Sequence, residues 1–318
     1  MPPRTERQHF VPAFYLAQWA TPQEREGRLR VFDRTNGRSR PSTPDAEGFA
    51  RDFYLIESRE APHAVEDVLA KLEGIGAAAI REVTTTDALP TTSEGLHLLM
   101  SHVALQAART PRVRENLRNF YSDVHMRVLH TYAEHPEAFV AAMREVEPDL
   151  SDTGAAKAHS ELRELLDAPG VRVEMDQTTL IRDTLDAAAG IEDMLCLRHW
   201  EMCVAPTGHQ FVTSDDPVVL DFEKGVTGHM FKSPGFGRRD TVVSFVIGPR
   251  HLIVGYAFEL KQRRRDFSRE QVAEYNTRAV WNAVRWVYFG GNEFDFIGPD
   301  EQLATGPSEV LRLPESEQ

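Results

Sequence analysis

Gln8-His9, the series His102, Gln106 and Arg109, and the run Ser214-Asp215-Asp216-Pro217 are the parts of this sequence best equipped for chemistry. An imidazole serves as base or metal ligand, and a glutamine amide as a fixed donor and acceptor. A lone histidine in an aromatic segment, such as His9, is more often a packing residue. His102, Gln106 and Arg109 are spaced i, i+4 and i+7, which places them on one face of a helix. Leu96, Leu98, Leu99, Met100, Val103 and Leu105 make the rest of that helix apolar, so it is expected to be buried and its polar trio to need partners. Arg109 then either closes an internal ion pair with an acid from elsewhere or lines a cleft and meets an anionic ligand. Asp215 and Asp216 follow a strand. Successive side chains alternate along a strand, so only one of the two acids points into a given site. The other can accept backbone N–H bonds and hold the turn before Pro217. Asn276, on the last helix, is a further polar candidate.

Two functions fit these residue types. In the first, a hydrolase acts on a small anionic or phosphoester substrate. His9 and Asp215 converge as base or ligands, and Arg109 stabilises the developing charge. A divalent metal is compatible with such a set, because histidine, a glutamine carbonyl and carboxylates are plausible ligands. In the second, the chain is a non-catalytic ligand-binding or interaction module, and the same polar groups form an internal network. The other histidines add no recognised ligand spacing. His125, His130 and His135 recur every five residues and so wind around a helix. Cys196 and Cys203 match no zinc pattern and are expected as free thiols. The glycine-rich dinucleotide fingerprint, the phosphate-binding loop, the nucleophile elbow and the His-Glu-x-x-His helix are absent.

The elements that must position these groups change character along the chain. Residues 8–20 are apolar and aromatic and should pack early on the body of the protein. Leu29–Phe32 reads as a strand entering an Asn36-Gly37 turn, and Phe53–Ile56 as a short strand or turn. Helices are expected from Pro62, from Glu94 to Arg109, from Arg112 to Glu134, from Pro136 to Val146, over 155–168, and from Thr178 to Leu195 with a break at Gly190. Strands follow at 199–205, 210–213 and 218–220, then a hairpin from Thr241–Ile247 to His251–Tyr256. Ser268 and Gln271 form a capping box for a last helix, and Val287–Phe289 returns as a strand. The glycine-rich stretch from Asp221 to Asp240 is long for a plain connection and is expected to act as a lid over a cleft near Asp215. The fold class is α+β: helices mostly from the first half, about 61–195, packed on an antiparallel sheet mostly from 196–290. A single globular domain over 1–300 and a frayed tail at 301–318 complete the expectation.

Bulk properties narrow the setting. The 318 residues are 41% apolar and 27% charged, ordinary for a folded globule. A net charge of -13 disfavours nucleic acid as a partner and leaves a small anionic ligand dependent on local arginines. The N-terminus lacks the apolar core of a secretory signal, and no run is long enough to span a membrane, so a cytoplasmic location is expected. The oligomeric state is not legible.

Gln8-His9-Phe10-Val11-Pro12 with Tyr15-Leu16, Phe53-Tyr54, Arg109-Thr110-Pro111 and Phe211-Val212-Thr213-Ser214-Asp215-Asp216-Pro217 together resemble the landmarks of the bacterial DUF4238 proteins, a family of unknown function. The resemblance runs over roughly residues 6–290. It implies that Gln8, His9, Tyr15, Tyr54, Gln106, Arg109 and Asp215 are the residues to examine first, and it supplies no reaction. In that family the last motif more often reads Thr-Ser-Asp-Asn-Pro. Here Asp216 replaces the asparagine and adds a charge beside Asp215.

Overall fold

A computed structural model describes residues 7–55, 64–226 and 233–307. In chain order the elements are β1 (Arg7–His9), α1 (Ala13–Leu16), β2 (Leu29–Asp33), β3 (Arg38–Ser42), β4 (Phe49–Arg51) and α2 (Ala64–Thr86). There follow α3 (Ser93–Ala108), α4 (Pro111–Glu134), α5 (Pro136–Val146), α6 (Asp152–Asp167) and α7 (Gln177–Cys196). The rest are β5 (His199–Val204), β6 (Thr213–Ser214), β7 (Val218–Phe222), β8 (Thr241–Gly248), β9 (His251–Tyr256), β10 (Arg264–Asp266), α8 (Arg269–Asn282), β11 (Trp286–Phe289), β12 (Asp295–Ile297) and β13 (Leu303–Thr305). The architecture is α+β, rich in helices through the middle of the chain and in strands beyond it.

The chain divides into two compact units, Met1–Val113 with Ile181–Gln318, and Arg114–Leu180. In the smaller unit α5 and α6 pack together. Ser151 caps α6 by accepting from the Gly154 N–H. Phe139 packs edge-on to Tyr132 and against the ring of His159, whose Nε2 lies 3.2 Å from the carbonyls of Tyr132 and Ala133.

In the larger unit one sheet has the order β10-β5-β9-β8-β7, antiparallel except for the parallel pair β10–β5. A second, antiparallel sheet has the order β3-β2-β11-β6. The strands expected as one antiparallel sheet from the second half are divided between these two, with β12–β13 a separate hairpin. The second of them draws β2 and β3 from the N-terminal region, where alternation alone cannot reveal a partner more than two hundred residues away. Pro41 sits in β3, an edge strand, where its missing N–H costs no ladder bond. α2 and α3 pack on each other and against the first sheet, and α8 covers β6 and β12. Val83, Leu99, Met100, Val103, Phe245 and Ile253 fill the main core, with Val11, Tyr15, Leu16 and Trp19 from the N-terminal segment. Phe32, Val212, Val280, Val287, Phe289, Phe294 and Phe296 form a second cluster under α8.

Local signals placed α3, α5, the β8–β9 hairpin and the capping box of α8 close to where they are found. One open alternative is decided and three expectations differ. At 53–56, read as strand or turn, the described residues form a turn, because Asp52 takes the left-handed conformation (φ 54°) and bends the chain after β4; Ile56 and the helix start at Pro62 lie outside the described residues. α7 runs unbroken through Gly190. Residues 210–212 form no strand, since Asn276 takes their backbone bonds: its Oδ1 accepts from the Val212 N–H and its Nδ2 donates to the Gln210 carbonyl, each at 2.9 Å. The start of the supposedly frayed tail pairs as β13 with β12, and residues 308–318 lie outside the description.

Candidate functional site

The N-terminal motif folds as a ribbon. β1 pairs antiparallel with β4 in the register Arg7↔Arg51, Gln8↔Ala50 and His9↔Phe49. Opposed residues share a face and successive ones alternate, so Arg7, His9, Phe49 and Arg51 occupy one face and Gln8 the other. The first face lines a cavity of about 850 Å3 whose far wall is α2. Glu66, Leu69, Ala70 and Glu73 reach it because the spacing i, i+3, i+4, i+7 puts them on one side of the helix.

Gln8 ties this ribbon to its surroundings. It is buried, its Oε1 accepts from the Tyr54 N–H at 2.5 Å, and its Nε2 lies 3.4 Å from Glu66 Oε2. His9 packs edge-on to Phe49, with ring centroids 5.8 Å apart. Burial holds its pKa below the ordinary imidazole value, against the pull of Asp45, so the ring is neutral near pH 7. Its Nε2 is buried without a hydrogen-bond partner among the described residues. Arg7 lies over the Phe49 ring at 4.9 Å and makes no ion pair among the described residues. Arg25, also at the cavity, is held by Asp45 at 2.6 Å.

Behind the α2 wall lies the buried polar series of α3. Arg109 is 1% exposed, and its Nη1 donates to Glu73 Oε1 at 2.9 Å. The Gln106 amide, with its oxygen turned to the guanidinium, accepts from Nε at 3.3 Å and Nη2 at 2.5 Å. His102 shares the helix face but not the network. It sits among the rings of Phe14, Tyr15 and Phe245, and burial, assisted by the charge of Arg109, pushes its pKa down to about 3. α2 can approach it only because residue 76 is glycine: a Cβ there would stand 2.3 Å from His102 Nδ1.

Asp215 occupies a different place. Its Oδ1 accepts from the Val284 N–H at 2.8 Å, and its Oδ2 from those of Arg285 and Trp286 at 2.9 and 3.0 Å. It pins the turn between α8 and β11 and does not line the cavity. The structure therefore brings Gln8, His9 and Tyr54 together at the cavity, with Gln106 and Arg109 behind its wall, and leaves Asp215 apart. Asp216 is buried beside Arg112, Nε to Oδ2 3.1 Å, and burial raises its pKa to about 7 against that attraction. Tyr15, fully buried, donates its hydroxyl to the Val246 carbonyl at 2.6 Å and meets Thr213 Oγ1 at 2.7 Å. Asn276, also fully buried, completes its bonds at the Asp295 carbonyl. Neither Tyr15 nor Asn276 reaches the cavity.

The expected lid does not cover Asp215 where it is described. Residues 221–226 border a separate cavity with Tyr256, Tyr275 and Arg278, residues 227–232 lie outside the description, and Arg198 ties the rest down through the carbonyls of Phe236 and Arg238. Among the described residues no group of three or more histidines, cysteines and acids is placed to hold a metal ion. Sequence reasoning missed Arg7, Arg51, Glu66 and Glu73. The helical spacing of the two acids was readable, but nothing local joins Glu73 to an arginine 36 residues later.

An α+β chain whose QHFVP segment builds one wall of a polar cleft is the class defined by this fold and site. The chain belongs to the DUF4238 family, described as proteins of unknown function, whose model matches residues 7–293. No curated protein and no solved structure matches it.

Proposed function

We propose that this chain is a non-catalytic ligand-binding module in which the cleft between the β1–β4 ribbon and α2 receives a small molecule bearing an anionic group. The observation that carries this reading is the position of Arg109. Almost wholly buried, it does not face the cleft, and it spends its charge holding Glu73 in the wall. A guanidinium so placed shapes a site and does not stabilise a transition state within it. Arg7, which lines the cleft over the Phe49 ring, supplies the anion's partner. Hydrolysis by His9 with Asp215 draws less support, because the Asp215 carboxylate is committed to three backbone donors.

A cytoplasmic setting accords with the two free cysteines and with the lack of any helix, among the described residues, long and apolar enough to cross a membrane. The net charge of -13 speaks against nucleic acid as the ligand. p-Nitrophenyl phosphate tests both functional readings at once. Saturable binding without release of p-nitrophenolate, weakened roughly tenfold by Arg7→Gln, is the result expected of the module. Turnover that disappears with His9→Ala overturns it.

A further inference from the structure

A second cavity, of about 570 Å3, opens elsewhere on the larger unit. One wall is the last third of α2, where Ala77, Arg81, Thr84 and Thr85 fall on one side at i, i+4, i+7 and i+8. The β8–β9 turn brings Pro249, Arg250 and His251 to the facing wall. Phe14 and Gln18 close a third side, with the loop through Glu24 and Arg25. Its charge is opposite to that of the whole chain. Arg25, Arg81 and Arg250 stand against a single lining acid, Glu24, in a protein of net charge -13.

Not all of these cations are available. Arg25 is bonded to Asp45, and His251 Nε2 lies 2.6 Å from Asp87 Oδ1. Asp87, just beyond the end of α2, also feels the charges of Arg250 and Arg264. The C-terminal end of a helix itself attracts cations. Both features favour a positive charge near the turn, and His251 already occupies Asp87 Oδ1. Arg81 and Arg250 remain, and neither forms an ion pair with any described carboxylate. Both are exposed, so their guanidinium groups can reorient toward a ligand at little cost.

We infer that this cavity is an anion site for a phosphate group, clamped between Arg81 and Arg250. Two guanidinium groups on opposite walls match a doubly charged, many-oxygened anion better than a single carboxylate, because each fork can take two oxygens. The Thr85 hydroxyl and the Gln18 amide supply neutral donors at the same wall and rim. The half-buried ring of Phe14 gives the remaining apolar surface, suited to the organic part of a phosphate ester. The site is independent of the cleft proposed above, although Arg25 lines both.

Titration calorimetry with inorganic phosphate, at low salt and with the full chain, tests this. Wild type should bind phosphate saturably and at least about tenfold more tightly than acetate. The double variant Arg81→Gln/Arg250→Gln should lose that binding with its melting temperature unchanged, since both residues are exposed. Arg81→Lys/Arg250→Lys should keep part of it, and Arg7→Gln, in the other cleft, should keep all of it. No saturable heat in wild type, equal affinity for acetate, or undiminished binding in the double glutamine variant overturns the inference. Loss on Arg7→Gln alone also overturns it, and assigns the anion to the cleft at His9 instead.

Discussion

Arg109 and Glu73 meet at 2.9 Å across two helices, one sealed in the core at 1% exposure and the other a quarter exposed at the wall of a cleft. The asymmetry sets what each substitution does. Removing Glu73 strands a buried guanidinium with only the Gln106 carbonyl oxygen to face it. Removing Arg109 leaves a carboxylate that water can still reach. Glu73→Ala should therefore destabilise by about 3–5 kcal/mol, the range for orphaning one buried member of an ion pair. Adding Arg109→Met should restore part of the loss, because the unpaired charge is then gone. Urea denaturation of the two single variants and the double variant measures this. A Glu73→Ala protein as stable as wild type would remove the structural role assigned to Arg109.

Asp215 is the hub of a long-range joint. Its three acceptor bonds fix residues 284–286, and its own N–H donates to the Trp286 carbonyl at 2.9 Å. Arg285, within that turn, reaches across to Asp33, with Nη2 2.8 Å from Oδ2, so one acid sets the backbone and another anchors the side chain. Asp215→Ala leaves three N–H groups without acceptors, at about 1–3 kcal/mol for each that water cannot reach. A loss of at least ~3 kcal/mol is expected. Asp215→Asn should fall between, since its one remaining carbonyl oxygen still accepts. A drop in melting temperature of only a degree or two for Asp215→Ala would return this residue to the list of active-site acids.

The contrast between these two networks explains what the sequence could reveal. The α3 face was readable because His102, Gln106 and Arg109 are neighbours on one helix, and so was their burial, from the leucines around them. The acid that completes the pair was not, because it lies on α2 and its distance along the chain leaves no periodic trace. Ser268 and Gln271 announced a helix start that the structure reproduces down to both capping bonds. The second sheet gave no such notice: β2 pairs with β11 through Val31↔Tyr288, a match fixed by tertiary packing and by Asp33 and Asp215 holding the intervening turn. The cleft was half legible. Gln8 and His9 stood out as residue types, but their separation onto opposite faces depends on a ribbon partner, β4, that nothing in the sequence marked as a strand.

Asp216 gives the protein a pH dependence with a definite sign. Its carboxyl titrates near 3.8 when exposed and near 7 in the fold, raised by burial, lowered by Arg112, and raised again by Asp215 beside it. Below about pH 3.8 both folded and unfolded chains hold the proton, and the group's contribution to stability is fully present. As the pH rises toward 7 the unfolded chain releases its proton first, so stability falls through that window and levels off above it. Asp33 works in the opposite direction at a lower pH. Its bond to Arg285 holds its pKa near 2, so its contribution is present above 3.8 and is lost as the pH falls toward 2. The Asp216 and Asp33 windows do not overlap, but buried His102, with its pKa near 3 against an ordinary 6.5, acts across the Asp216 range with the opposite sign, so it is the difference between wild type and Asp216→Asn over pH 4.5 to 8 that isolates Asp216. Asp216→Asn keeps an oxygen for Arg112 Nε and the backbone bonds to Ser214 and Asn282, but has no proton to lose. This variant should match wild type near pH 4.5, exceed it at pH 8, and gain on it steadily between. It also relieves the like charge beside Asp215, which adds to the gain at high pH. An Asp216→Asn protein less stable than wild type at pH 8 would mean that the Arg112 ion pair outweighs the cost of burying the charge, and the sign argued here would be reversed.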